Sequence, residues 1–347
     1  MAVEQPESAR SAGDTLSATR RLLVLSPNWL GDAVMALPAL ADLRHAAPSA
    51  TVTVAARASI APLFTMVPGV DRTIVLDKAT GTADAVRELQ QGAFDVAVLL
   101  PNSWRAAWLV WRSGVGERWG YRADCRGPLL TRAVSRPGAV HQGAYYQALT
   151  RALGAPSGPL EPKLVPTKQA LDRGADTLTR AGWDRTTPLV AMAPGALYGT
   201  AKRWPARAFA AVADHLVRDG MQVVLAGGSA DRPASHEVMM ALGSRTGVMN
   251  VTGMTDLPAF AGMLAQCRAL VSNDSGAMHV GAAVGLRVTA PFGPTREDET
   301  RPLGPGHTVL TAPVWCRPCM LRTCPIDHRC MRRIESARVL AAVMESL

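Results

Sequence analysis

No stretch of this chain approaches the roughly 18 consecutive apolar residues that a membrane-crossing helix requires. Residues 1–18 are polar and rich in Ala and Ser, and they lack the apolar centre of a secretory signal. Both absences point to a soluble, cytoplasmic protein with a disordered tail over residues 1–18. There is no low-complexity block and no internal repeat beyond a recurring strand–helix alternation, which excludes fibrous and repeat-array classes. No Gly-rich loop ends in Lys-Ser or Lys-Thr, and no true dinucleotide fingerprint occurs, so neither an NTPase nor a dehydrogenase is indicated. Helix-turn-helix, RNA-recognition and zinc-finger patterns are missing as well. Nucleic acid is therefore not the expected partner, although a basic nucleic-acid-binding protein remains a rival reading.

What is present is a chain of 347 residues, 48% hydrophobic and 19% charged, long enough for two domains with separate cores. The formal charge is +9, which suits an anionic partner such as a nucleotide, a nucleic acid or an anionic membrane surface. The charge is uneven. Between Arg105 and Arg136 there are seven arginines against Glu117 and Asp124, together with Trp104, Trp108, Trp111 and Trp119. Trp and Arg suit a membrane interface. The spacing of four and three in Trp104, Trp108 and Trp111 equally suits one helix face packed in a core.

Short apolar runs at 22–25, 51–55, 73–76 and 96–100 read as strands, with helix patterns at 33–45 and 83–91 between them. Pro38 should kink or shorten the first of these helices. A Pro- and Gly-rich stretch, 154–168, reads as a linker. Beyond it, strands at 189–193, 222–226, 248–251, 269–272 and 287–291 alternate with helices at 169–181, 206–218, 232–242, 257–267 and 277–284. This alternation predicts an α/β protein of two Rossmann-like, doubly wound domains facing a central cleft. The expected divisions are a tail (1–18), a first domain (19–168), a second domain (169–330) and a terminal helix (331–347).

Loops after the strands of such sheets carry the chemistry. The first is Ser26-Pro27-Asn28-Trp29-Leu30-Gly31-Asp32, where Gly31 allows close backbone approach and Asp32 places a carboxylate at the mouth or, alternatively, caps the helix. In the second domain, Lys202 lies in a loop after a strand and is either a point charge for a diphosphate or a solvated lysine. Asp231 follows Gly227-Gly228 and suits ribose hydroxyls or a helix cap. Ser275 and Gly276 open a helix whose free N–H groups form an anion site, with His279 one turn on. Asp274 would repel phosphate and is assigned to sugar hydroxyls. The set suits a nucleotide-sugar binder.

Taken together, Ser26 to Asp32, Pro194-Gly195-Ala196 with Ala201-Lys202-Arg203-Trp204-Pro205, and Asn273-Asp274-Ser275-Gly276-Ala277-Met278-His279 resemble the ADP-heptose:lipopolysaccharide heptosyltransferases, glycosyltransferase family 9, and are most similar to its heptosyltransferase II branch. The resemblance runs from about Arg21 to Leu347. It implies a GT-B fold with an acceptor domain followed by a donor domain. It implies inverting transfer of L-glycero-D-manno-heptose from ADP-heptose to the lipopolysaccharide inner core, with no catalytic metal. By motif, Asp32 resembles the general base and Lys202 the diphosphate ligand. Asp274 resembles the heptose ligand, Ser275, Gly276 and His279 the phosphate-lining groups, Asp231 the ribose ligand and Met254 the adenine-lining residue. Gly31, Asn102, Ser103 and Arg122 fall on the acceptor side. The partners implied are ADP-heptose, a lipid A–core glycolipid and the cytoplasmic face of the inner membrane. Rival readings are another GT-B enzyme with a different sugar or acceptor, a nucleotide-sugar epimerase, and an inactive glycan-binding homologue.

Four of the six cysteines crowd near the C-terminus: Cys316, Cys319, Cys324 and Cys330, with His328 among them. The first pair has the spacing of a structural zinc site, with reduced thiols or a labile disulfide as alternatives. Cys125 and Cys267 read as buried thiols.

Overall fold

The computed structural model describes residues 11–77 and 81–347. The chain opens with α1 (Ala12–Ala18), β1 (Arg21–Leu25), α2 (Leu30–Met35), α3 (Leu37–Ala46), β2 (Thr51–Ala56), β3 (Arg72–Val75), α4 (Thr82–Gln91), β4 (Val96–Leu99), α5 (Trp104–Arg112), β5 (Glu117–Tyr121), β6 (Arg132–Val134) and α6 (Gln142–Ala152). It continues with α7 (Lys168–Arg180), β7 (Leu189–Ala193), α8 (Ala206–Arg218), β8 (Gln222–Leu225), α9 (Arg232–Leu242), β9 (Val248–Asn250), α10 (Leu257–Leu264), β10 (Ala269–Ser272), α11 (Gly276–Ala283), β11 (Arg287–Phe292), α12 (Glu297–Thr300), β12 (Thr308–Thr311), α13 (Arg329–Arg332) and α14 (Ser336–Ser346).

Two six-stranded sheets result, in the orders β3-β2-β1-β4-β5-β6 and β12-β11-β10-β7-β8-β9, and every pairing is parallel. Read from either end, both have the doubly wound order, so each reverses direction once, between β1 and β4 and between β7 and β10. Helices cover both faces of each sheet. Central strands are therefore buried all along, as in the uninterrupted Leu-Val-Ala-Met-Ala of β7.

Three strands escape the sequence pattern. β6 and β12 are edge strands whose residues are only half-buried, and β5 next to the edge opens on Glu117 and Arg118. An edge strand needs few apolar residues, so its periodicity is diluted. Pro38 splits the first helix pattern in two, and the break at Ala36 places the ring in the opening turn of α3, where its missing N–H costs nothing.

The first eighteen residues are not wholly a tail. Ser11 caps α1 by accepting the Asp14 N–H at 3.2 Å, and the fully buried Leu16 anchors the helix in the first domain's core. One well-placed leucine in a polar segment gives too faint a period to read. Residues 1–10 of the expected tail lie outside the described residues. At the other end, α14 packs on α8, β10 and β11, so it belongs to the second sheet's outer layer.

The linker stretch has no regular structure, yet it laces the two halves together. The Leu164 N–H donates to the Ala283 carbonyl and the Val165 N–H to the Met66 carbonyl, both at 2.8 Å. Beside it, α7 and α10 cross at two glycines. A Cβ on Gly262 would overlap the Ala170 carbonyl, and one on Gly174 would overlap the Met263 backbone nitrogen. α10 carries Leu257 and Phe260 of the cleft wall described below. Gly262→Ala is therefore expected to cost roughly 1–3 kcal/mol by overpacking, read as a lowered midpoint in urea. An unchanged midpoint would show that the crossing can spread freely.

Candidate active site

The carboxyl edges of the two sheets face one another across a cavity of about 690 Å³. Its walls come from the loops flanking the two reversal points: Trp29 to Asp32 after β1, Leu197 to Lys202 after β7, and Asp274 to Ala277 after β10. The domains meet most closely where α2 faces the start of α11. A Cβ on Gly31 would fall 2.9 Å from His279 Cδ2, and one on Gly276 would fall 3.0 Å from Leu30 Cβ. Glycine at both positions permits this contact.

Asp32 sits in the first turn of α2, but Trp29 occupies the capping position, which removes the capping reading. Among the described residues, no donor is hydrogen-bonded to the Asp32 carboxylate. Burial pushes its pKa up to about 6; Lys202 across the cleft pulls it down and Asp274 pushes it up again. The result is a half-buried carboxylate with a raised pKa and with its lone pairs free.

Opposite lies a fixed ionic group. Lys202 Nζ donates to Asp274 Oδ2 at 2.6 Å, and Thr295 Oγ1 donates to the same oxygen at 2.7 Å. Both members of the ion pair are nearly buried, with side chains 11% and 6% exposed. A buried ion pair adds little to stability; here it holds Asp274 aimed into the cleft and leaves Lys202 with further N–H donors. The Tyr198 ring lies 4.7 Å from Lys202 Nζ, a cation–π contact. Behind them Asn273, fully buried, accepts the Trp204 N–H at 2.9 Å and donates to the Pro194 carbonyl at 2.8 Å. These two bonds lock the loop after β7 to the loop after β10.

Ser275 caps α11 without a side-chain bond to the helix, which leaves the opening N–H groups free toward the cleft. His279, one turn on, is buried, and that burial drops its pKa to about 4, so it is neutral at pH 7. Asp231 lines the cleft with its Oδ2 accepting the Gly228 N–H at 3.0 Å, and burial raises its pKa. Gly195 packs against that carboxylate, where any Cβ would clash.

Other expected site residues lie elsewhere. Met254 is 62% exposed; the wall beside it is Thr255 to Leu257. Asn102 serves the structure: its amide donates to Tyr145 OH at 2.8 Å and accepts from the fully buried Arg126. Ser103 caps α5 by accepting the Ala106 N–H. Arg122 is exposed and off the cleft. None of these three lines the cavity: Arg126 draws Asn102 inward, the α5 cap claims Ser103, and Arg122 leaves the sheet one strand further on, after β5.

Of the cysteines expected as zinc ligands, Cys330 is buried and Cys316, Cys319 and Cys324 are half-buried. Among the described residues no three Cys, His, Asp or Glu side chains are gathered as metal ligands, and all six cysteines are free thiols. Cys316, Cys319 and Cys324 lie near enough to Cys330 to help raise its pKa, after burial. Cys267 is buried as expected, but Cys125 is exposed.

Sequence reasoning missed Ser59, Thr295, Arg296, Met320 and Arg322, which line the cleft. Thr295 could have been found, since it follows the strand read at 287–291 and obeys the same loop rule as Asp274. Met320 and Arg322 were hidden inside the cysteine-rich loop. That loop folds back over the cleft through Tyr198 OH to the Met320 carbonyl at 3.0 Å and the Ala201 N–H to the Arg322 carbonyl at 3.0 Å.

The family model described as glycosyltransferase family 9 (heptosyltransferase) matches residues 83–329. The lipopolysaccharide heptosyltransferase 2 of Salmonella typhimurium is 32% identical over 298 residues, which span 82% of this chain and 85% of that one. The solved structure of the Escherichia coli ADP-heptose lps heptosyltransferase II superposes with a TM-score of 0.81 at 29% identity, covering 94% of this chain and 98% of that one. A glycosyltransferase family 9 structure from Veillonella parvula gives a TM-score of 0.85 at 22% identity, over 98% of both chains, and shares the fold. With two doubly wound domains of the GT-B type and a family match over most of its length, this chain belongs to glycosyltransferase family 9, the heptosyltransferases, and is a glycosyltransferase.

Proposed function

We propose that the protein transfers L-glycero-D-manno-heptose from ADP-heptose to the inner core of lipopolysaccharide, with inversion at the anomeric carbon. The observation that carries this reading is the unbonded, pKa-raised Asp32 carboxylate facing Lys202, Asp274 and the α11 N-terminus across the cavity. A cavity of about 690 Å³ is of the size a nucleotide sugar occupies.

In this mechanism the acceptor hydroxyl attacks the anomeric carbon from the Asp32 side and its proton passes to the Asp32 carboxylate. The bond from that carbon to the diphosphate oxygen breaks, and ADP leaves with the electron pair. Lys202, the α11 N–H groups and the neutral His279 stabilise the charge growing on the diphosphate. Asp274, oriented by Lys202 and Thr295, accepts hydrogen bonds from heptose hydroxyls, and Asp231 does so from the ribose. The lipid-linked acceptor places the enzyme at the cytoplasmic face of the inner membrane. Among the described residues no helix is long and apolar enough to cross it, so the contact would be peripheral.

The direct test incubates purified protein with ADP-heptose and a heptose-deficient core glycolipid. A mass gain of one heptose with ADP release supports the reading. ADP binding without transfer points to a different sugar or acceptor, and absence of both sinks it.

Asp32→Asn should fold, bind ADP as before and lose about 10²–10⁴-fold in kcat. In the parent enzyme kcat/KM should rise with pH until about 6 and then level off, because a base works only when ionised and Asp32 is protonated below that point. An acidic limb that survives in the variant would assign it to another group. Lys202→Met should weaken ADP binding and destabilise the fold by about 3–5 kcal/mol by stranding Asp274. Lys202→Met with Asp274→Asn should recover much of that stability in urea denaturation without recovering ADP affinity. Recovery of both would deny Lys202 its phosphate role.

A further inference from the structure

α5 is amphipathic the wrong way round for a helix that ends in water. Its inward positions are Ala106, Ala107, Leu109 and Val110, all buried against the first sheet. The outward stripe holds Trp104, Trp108 and Trp111, flanked by Arg105 and Arg112. Trp104 is 48% exposed and Trp111 46%, so the core-packing reading holds for Trp108 and not for these two. Trp108 is half-buried, stacks on Trp104 with ring centres 6.1 Å apart, and lies under the Arg112 guanidinium at 6.0 Å. Trp108 also packs by its inner edge on the core beneath α5, whereas Trp104 and Trp111 are left facing outward.

The electrostatics of the face are one-sided. α5 carries no acid, and among the described residues neither Arg105 nor Arg112 is paired with a carboxylate. The nearest packed element is α4, whose Asp84 is already paired with Arg87; Glu88 is the other acid there. The helix also starts at the right place. Leu25 and Leu99 are register partners, so the loop carrying Asp32 and the loop that begins α5 leave the sheet side by side. Nine residues then carry the stripe about 13 Å along the surface.

We propose that the outward face of α5 is a membrane-docking surface, with Trp104, Trp108 and Trp111 seated among lipid headgroups and Arg105 and Arg112 on lipid phosphates. This rests on the reading of the acceptor as a bilayer glycolipid. Tryptophan beside arginine is the pairing that an anionic bilayer surface favours, because an indole suits the headgroup layer and a guanidinium forks onto phosphate. α5 itself offers no carboxylate that would repel lipid phosphate. Docked this way, the first domain's cleft edge sits next to the membrane from which the acceptor must rise.

The test uses the full chain and vesicles of phosphatidylethanolamine and phosphatidylglycerol in a three-to-one ratio, with pure phosphatidylcholine vesicles as the uncharged comparison. The parent protein should co-sediment with the anionic vesicles and much less with the neutral ones. Trp104→Ser with Trp111→Ser should lose most of that partition. Arg105→Gln with Arg112→Gln, which leaves the packed residues untouched, should lose about fivefold per arginine, the factor that about 1 kcal/mol represents. Both variants should transfer heptose to detergent-dispersed acceptor at the parental rate and to vesicle-embedded acceptor more slowly. Partition unchanged in both variants, or a parent that ignores anionic vesicles, overturns the proposal and returns the face to a protein partner. Absence of transfer by the parent on dispersed acceptor fails the catalytic reading alone, since vesicle partition is scored independently.

Discussion

Everything in this molecule is arranged around one close contact, the approach of α2 to the start of α11. A side chain at Gly31 would strike His279, and one at Gly276 would strike Leu30. With both positions bare, the two carboxyl edges come near enough for Asp32 of one domain to feel the charges of Lys202 and Asp274 in the other. Neither domain alone sets a carboxylate without a donor against a lysine and an open helix N-terminus. The linker bonds at Leu164 and Val165 reinforce the approach from the side, since they tie the strand-free segment to both halves at once.

Once the edges are this close, water is thinned out and charge becomes expensive. The protein answers it differently on the two walls. On the second domain's wall, Asp274 accepts hydrogen bonds from both Lys202 and Thr295. On the first domain's wall, Asp32 has no such partner and burial pushes its pKa up to about 6. Two carboxylates in one cavity thus have different surroundings, one held by a lysine and a threonine and one without a hydrogen-bond donor. His279 obeys the same rule with opposite sign, since burial strips it of its proton and makes it a neutral hydrogen-bonding group.

The cysteine-rich loop is best understood as part of this wall. Arg317 fastens it by donating to the Gly293 carbonyl at 2.9 Å and pairing with Glu297 at 2.6 Å. Its backbone then accepts from Tyr198 and Ala201, which sets Met320 and Arg322 on the cleft wall beside Lys202. Cysteines drew the eye in the sequence, yet the backbone carbonyls and the arginines between them make the contacts that matter for the cleft.

The sequence by itself determined the two parallel sheets, the placing of most helices, and the loops bearing Asp32, Lys202, Asp231 and Asp274. These are local features: buried parallel strands must be continuously apolar, and their carboxyl ends must open into loops. It also carried enough ordered motif to mark the family. Only the tertiary structure decided which loop residues reach the cavity. Asn102 and Ser103 stand in a loop of the right kind, but Arg126 and the α5 cap claim their polar atoms. Thr295 and Arg322 come from distant segments that meet Asp274 and Tyr198 in space. It decided as well that Leu16 is core and that Trp104 and Trp111 are surface, because helical spacing reveals that residues share a face and not whether that face turns to the sheet or to solvent.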